Sequence, residues 1–198
     1  FMNWCVNNGY CTTNPFIGMK IKQKKSPRDE RDRFSEKELK EIFSKQNYLY
    51  FTKVEKDSYS KYWIPLIGVF TGMRCGEICS LYLDNIREIT GNQRSKRWVI
   101  DILEEHNRPD KRLKTQSSRR IVPIHDSLID LGFVDFIKLL KKDPERKRIF
   151  EELQYREGTY SRSISRFWNR RYLELLGIKN EKNGFHSFRH TVIDHLKQ

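Results

Sequence analysis

The period of the hydrophobic positions changes twice along the chain. FMNWCVNNGYCTTN, residues 1–14, reads as the end of a helix followed by a turn that closes at Asn14-Pro15. Further on, Ser35 and Glu38 have capping-box spacing, with Phe34 and Leu39 at the staple positions around them. The mostly apolar run from Tyr59 to Phe70 predicts a buried helix, either entered near Pro65 or kinked by it. A second helix is expected after Gly72, through GEICSLYL. The period then shortens. IREIT, RWVIDIL and RRIVPI are β-branched runs separated by GN and by the polar LKTQSS, which predicts a small antiparallel sheet of three strands. Helical spacing returns with Ile129, Phe133, Phe136, Ile137 and Leu140 on one stripe. Ile164, Phe167, Trp168, Tyr172 and Leu175 form another, closed by Gly177. Helices, a small sheet and helices again make an α+β class, mainly α-helical.

Composition adds a partner to this outline. A chain of 198 residues suits one sizeable domain with an added segment, and 13% aromatics supports a packed core under a charged surface. Lys and Arg number 39 against 26 Asp and Glu, a net charge of +13. That surplus favours polyanions, nucleic acid before acidic membrane. No apolar run has the length of a membrane span, and no signal peptide is visible. IKQKKSPRDERDR, residues 21–33, has linker composition: a solvated tether, a strap along a phosphate backbone, or both. Cys5, Cys11, Cys75 and Cys79 lack CxxC spacing and read as reduced structural thiols of a cytosolic protein.

Three stretches carry candidate chemistry. In TGMRCGEICSL, residues 71–81, Arg74 stands between two glycines at a helix start, where backbone amides and a charged fork both suit an anion; Glu77 lies in the first turn. In RLKTQSSRRIVPI, residues 112–124, Lys114 sits at a polar turn between strands, from which a lysine can reach a groove or protonate a leaving oxygen. In HSFRHTVIDHLKQ, residues 186–198, His186 and Arg189 share a helix face. His186 and His190 are also roughly aligned, but neither the glutamate of HExxH chemistry nor a third ligand accompanies them. A phosphate fits His186 and Arg189 better than a metal does. Val192 and Leu196 extend the apolar stripe of Phe188, so His195 is expected to pack.

Taken in order, these three motifs resemble the catalytic domain of the tyrosine recombinases, the phage-integrase family, over roughly residues 35–198. FSEKELKEIF resembles that domain's opening helix. Residues 1–14 resemble the tail of a preceding core-binding domain, and 15–34 would then be a basic linker. The resemblance implies attack by a tyrosine on a DNA phosphodiester, a 3′-phosphotyrosyl link, and resealing by a 5′-hydroxyl, without metal or cofactor. Arg74 and Arg189 would clamp the non-bridging oxygens, Lys114 would protonate the leaving oxygen, and His186 would support proton transfer or bind the phosphate. Glu77 would be supporting and His190 structural.

One departure stands out. In the family a His or Trp and then the nucleophilic Tyr follow the His-x-x-Arg motif, whereas HTVIDHLKQ after Arg189 contains no tyrosine. With Phe1 rather than Met at the start, the expectation is a fragment that grips a phosphate but cannot cleave. The expected partner is double-stranded DNA, with a homotetramer on paired sites for the parent, a monomeric fragment, no membrane, and a cytoplasmic, nucleoid-associated location in a prokaryotic host. Two other classes stay open: a DNA-binding module that kept the scaffold without catalysis, and a hydrolase using His186, His190 and Lys114 with water.

Overall fold

The computed structural model describes residues 1–19, 32–52, 59–90, 96–103, 108, 110 and 119–197. The chain divides into two units, Phe1–Glu30 and Arg31–Gln198. In the first, helix α1 (Met2–Asn7) ends in a turn, with Cys5 buried and Trp4 stacked on Tyr10. Residues 20–31, most of the basic run, lie outside the described residues.

The second unit opens as its spacing predicts. Ser35 Oγ accepts from the Glu38 amide at 3.2 Å, and Glu38 Oε2 accepts from the Ser35 amide at 2.7 Å, completing a capping box on α2 (Glu36–Ile42). Helix α3 (Lys45–Phe51) is capped by Ser44. Helix α4 (Ser60–Thr71) starts well before Pro65, so the proline lies inside it rather than at its start. A distant carboxylate makes this early start favourable: Glu152 Oε1 accepts from the Tyr59 and Ser60 amides at 2.9 and 2.8 Å. Trp63, Ile64, Leu66 and Ile67 are all buried, which makes α4 the central helix.

Helix α5 (Cys75–Cys79) is shorter than GEICSLYL suggested. Backbone pairing stops it: Leu81 O accepts from the Ile149 amide at 3.1 Å, and the Leu83 amide donates to Lys147 O at 2.9 Å. Cys79 packs fully buried in the core with its Sγ 3.9 Å from that of Cys75. Strands β1 (Ile86–Thr90), β2 (Lys96–Ile102) and β3 (Arg120–Pro123) form an antiparallel meander in the order β1-β2-β3. The central strand is covered on both faces, so Val99, Ile100, Asp101 and Ile102 are all buried. Pro123 sits on an edge strand, where its missing amide costs no ladder bond.

Two apolar stripes were legible, but each is interrupted. The first spans α6 (Asp126–Asp130) and α7 (Phe133–Leu140), which break at Gly132 with φ +87°. The second runs through α8 (Arg162–Phe167), a π-helical turn (Trp168–Tyr172) and α9 (Leu173–Leu175). A π turn closes i→i+5 bonds and shifts the helix register. The buried face therefore passes through Leu173, with Leu176 packed against the core, while Leu175 is 59% exposed.

Helix α10 (His186–His195) completes the unit and packs on α4. Phe188 is 1% exposed and meets the rings of Phe34, Phe43 and Trp168 at 5.0, 5.7 and 5.5 Å. Truncating such a ring costs about 3–5 kcal/mol. The C-terminal end differs from expectation. His195 is exposed and Leu196 is 79% exposed, because α10 leaves the core after its second turn and no element covers that face among the described residues.

Candidate functional site

The site grows from the junction of α4, α5 and α10. Gly72 ends α4 in the left-handed region, φ +63°, and a Cβ there would lie 3.2 Å from Val192 Cγ1. This glycine makes room for α10. Earlier on α4, a Cβ at Gly68 would stand 3.1 Å from Phe185 Cζ. Two small residues one turn apart thus seat α10, and with it Arg189, against the end of α4. Arg189 Nη1 donates to Gly72 O at 2.7 Å, two residues before Arg74.

The start of α10 is fixed separately. Asn169 Oδ1, from the π turn, accepts from the Phe185 amide at 3.0 Å. A Cβ at Gly184 would fall 2.8 Å from that same oxygen, so a side chain there would push Asn169 off this bond. Thr191 Oγ1 donates to Ser187 O and accepts from the Phe34 amide at 3.0 Å, tying the middle of α10 to the start of α2. His186 and His190 face each other edge-on, ring centroids 5.1 Å apart.

Arg74 is positioned by its own helix start. Glu77 Oε2 accepts from the Arg74 amide at 3.0 Å, and Oε1 accepts from Arg74 Nη1 at 2.8 Å. With α5 only five residues long and the amide of its N-cap Arg74 engaged by Glu77, the dipole contribution expected at this helix start is small. The positive charge here comes from side chains. A residue passed over in the sequence joins them here. Arg120, the first residue of β3, donates Nη2 to Glu77 Oε2 at 2.7 Å and Nη1 to Oε1 at 3.3 Å. The available signal was weak, since Arg119 and Arg120 are adjacent. Strand alternation sends them to opposite faces, and only the register opposite Ile102 says which is which.

The electrostatics follow from this crowding. Burial alone would raise the Glu77 carboxyl, yet hydrogen bonds from Arg120 and from Arg74 outweigh it and hold the group below its usual 4.5. Arg189 titrates below its usual value, first because it is desolvated and then because Arg74 and Arg120 stand near; Glu77 offsets part of this. Three guanidinium groups around one carboxylate leave a local surplus of two positive charges.

The structure therefore brings Arg74, Glu77 and Arg189 together, and places His186 and His190 side by side on α10. Lys114 lies outside the described residues. Among the described residues no group of three or more His, Cys, Asp or Glu could hold a metal ion, and no helix is long and apolar enough to cross a membrane. Beside the start of α10, the α8 face forms an open polar depression lined by Thr159, Ser161, Arg162, Arg166, Asn169 and Arg170.

The fold defines the class of protein: an α+β domain, mainly α-helical, with arginines gathered at the end of its central helix. The comparisons with known proteins give that class its family. The sequence profile described as "Phage integrase family" matches residues 32–198, and the chain belongs to this family. A protein named "Tyrosine recombinase XerC-like" from Caldanaerobacter subterraneus subsp. tengcongensis is 31% identical over 142 residues, covering 66% of this chain and 34% of the relative. The XerH site-specific recombinase, solved bound to difH substrate as a pre-cleavage complex, shares the fold with a TM-score of 0.53 at 18% identity. That match covers 91% of this chain and 45% of the other. The chain thus spans about a third of the curated relative's length and under half of the XerH chain.

Proposed function

We propose that the protein containing this chain cuts and rejoins double-stranded DNA at specific sites through a 3′-phosphotyrosyl intermediate, and that residues 32–198 supply its grip on the scissile phosphate. The observation that carries this reading is the bond of Arg189 to Gly72 O, close enough to Arg74 to feel its charge, with Glu77 orienting Arg74. Two guanidinium forks suit the two non-bridging oxygens of a diester, and they stabilise the charge that builds there during attack. In this reading Lys114 delivers a proton to the leaving 5′-oxygen, and His186 holds a phosphate oxygen or passes a proton. Glu77 and His190 support the arrangement without touching the reacting atoms. The nucleophile is a tyrosine, and none of residues 190–198 is one.

The net charge of +13 and the arginine-lined α8 face support duplex DNA as the partner, and the work would take place at the nucleoid of a prokaryotic host. Paired sites imply a tetramer on DNA, while this chain alone is a monomer; light scattering without DNA reads the latter directly.

The test compares chain 1–198 with the product of its gene's whole reading frame, each incubated with nicked DNA of the element that carries the gene. The chain should bind without forming a link that survives denaturing detergent, and the whole product should form one. Binding by both with a link from neither would instead make the protein a DNA-binding module on a recombinase scaffold. Release of cut DNA by chain 1–198, lost on His186→Ala, would point to hydrolysis by water.

A further inference from the structure

Glu77 poses a problem for the clamp. A carboxylate that orients Arg74 also cancels its charge, and a cancelled arginine grips a phosphate poorly. Arg120 resolves this. Glu77 offers two oxygens with four lone-pair directions. Four donors meet them: the Arg74 amide and Arg120 Nη2 at Oε2, and Arg74 Nη1 and Arg120 Nη1 at Oε1. The fork from β3 fixes the plane of the carboxylate, because two parallel N–H donors specify an orientation that one donor does not. It also returns the positive charge that Glu77 removes. Without it, Arg74, Arg189 and Glu77 sum to a single positive charge; with it they carry two.

The packing allows such a role. The Arg120 side chain is 29% exposed and that of Glu77 10%, so the pair is screened less than a surface pair. Arg120 comes from the sheet and Arg74 from the helix start, so the carboxylate joins two elements of different origin at the site. Arg120 also stands near enough to Arg189 to disfavour its charge. An arrangement that crowds three cations is unfavourable for folding and favourable for an anion that arrives later.

We propose that Arg120 is a positioning residue of the phosphate clamp, holding Glu77 in a bidentate grip so that the carboxylate orients Arg74 while the site keeps a surplus of positive charge. This rests on the clamp reading given above. It assigns Arg120 no contact with DNA.

The test uses chain 1–198 labelled with ¹⁵N, titrated with inorganic phosphate at constant ionic strength, with arginine Nε–Hε signals followed by NMR. In the wild type the Arg74 and Arg189 signals should shift on binding. Arg120→Met should weaken phosphate binding about tenfold, within the range of coupling between contacting residues. Arg120→Lys, which keeps the charge but not the fork, should recover only part of the loss. In an Arg74→Met background, replacing Arg120 should cost clearly less than about tenfold, because the orienting part of its effect runs through Arg74 and only its charge remains. Thermal melts of each variant confirm folding, and the partial exposure of Arg120 favours it. Wild-type binding in Arg120→Met or full recovery in Arg120→Lys overturns the positioning role and leaves the clamp standing. Equal losses with and without Arg74 also overturn it, since they would mean a simple charge effect. Absence of any phosphate-induced shift in the wild type overturns the clamp itself, and this inference with it.

Discussion

Two half-buried carboxylates do similar mechanical work in this molecule with opposite chemistry. Glu77 is held by the guanidinium groups of Arg74 and Arg120. Asp110 is held by phenols: Tyr82 Oη donates to its two oxygens at 3.0 and 2.9 Å, and Tyr160 Oη to Oδ2 at 2.7 Å. Burial works against both carboxylates, and in both the hydrogen bonds prevail and hold the carboxyl below its ordinary value. The Tyr82 and Tyr160 phenols are pushed up to about 12, by burial first and then by Asp110, so they stay neutral at any physiological pH. The Arg148 guanidinium lies 3.8 Å over the Tyr160 ring and that of Arg108 4.0 Å over the Tyr82 ring, adding cation–π contact. The phenol donors add no charge of their own to Asp110, and the cations there lie over the rings. Charged donors at Glu77 leave a positive surplus, and Arg189 stands beside it. Donor chemistry, more than geometry, separates a structural bridge from a candidate site.

The comparison breaks most visibly at Glu77. Glu77→Gln leaves Arg74 and Arg120 facing a neutral amide, at an expected cost of about 2 kcal/mol at pH 7 after allowance for the exposure of both arginines. The folded-state pKa is depressed, so the contribution is complete above the unfolded value near 4.5 and is lost as pH falls through the folded one. Urea denaturation should therefore show the wild type and Glu77→Gln separated at pH 7 and converging at pH 3. A separation unchanged at low pH would mean that the carboxylate charge is not what holds the site.

At the neutral bridge the expected effects are smaller. Tyr160→Phe removes one hydrogen bond to Asp110 and should cost about 1 kcal/mol, since Tyr82 still serves both oxygens. Its DNA affinity should match the wild type in a gel-shift titration, in contrast to any change at the charged bridge. Smaller again is Arg189→Met. It loses the hydrogen bond to Gly72 O but relieves crowding by Arg74 and Arg120, so stability should stay within about 1 kcal/mol of wild type while DNA binding weakens. A residue that contributes to binding and little to folding is the mark of a site kept at some cost to stability.

Much of this was legible in the residues themselves. The Ser35 and Glu38 capping box and the three strands follow from local spacing, and the grouping of Arg74, Glu77 and Arg189 from the family resemblance of their motifs. Non-local partners set the rest. Helix α4 starts early because Glu152, far along the chain, caps it; α5 stops early because residues 147–149 pair with its end. A single π turn moves the buried face off Leu175, and no periodicity of 3.6 anticipates one extra residue. Leu196 matched the stripe of Phe188 in sequence but has nothing above it to pack against among the described residues. Arg120 looked like its neighbour Arg119 until strand register told them apart.

The central claim is that Arg74 and Arg189 meet a DNA phosphate together. The most direct measurement is the salt dependence of duplex binding by chain 1–198, read by fluorescence anisotropy, for the wild type and for the double variant Arg74→Ala, Arg189→Ala. Each phosphate that a cation neutralises contributes about one to the slope of log affinity against log salt. The account predicts a steep wild-type slope and a double-variant slope lower by about one, since both arginines hold the same phosphate. Equal slopes would contradict it, placing the DNA on another face of this basic domain and leaving the two arginines without a phosphate between them.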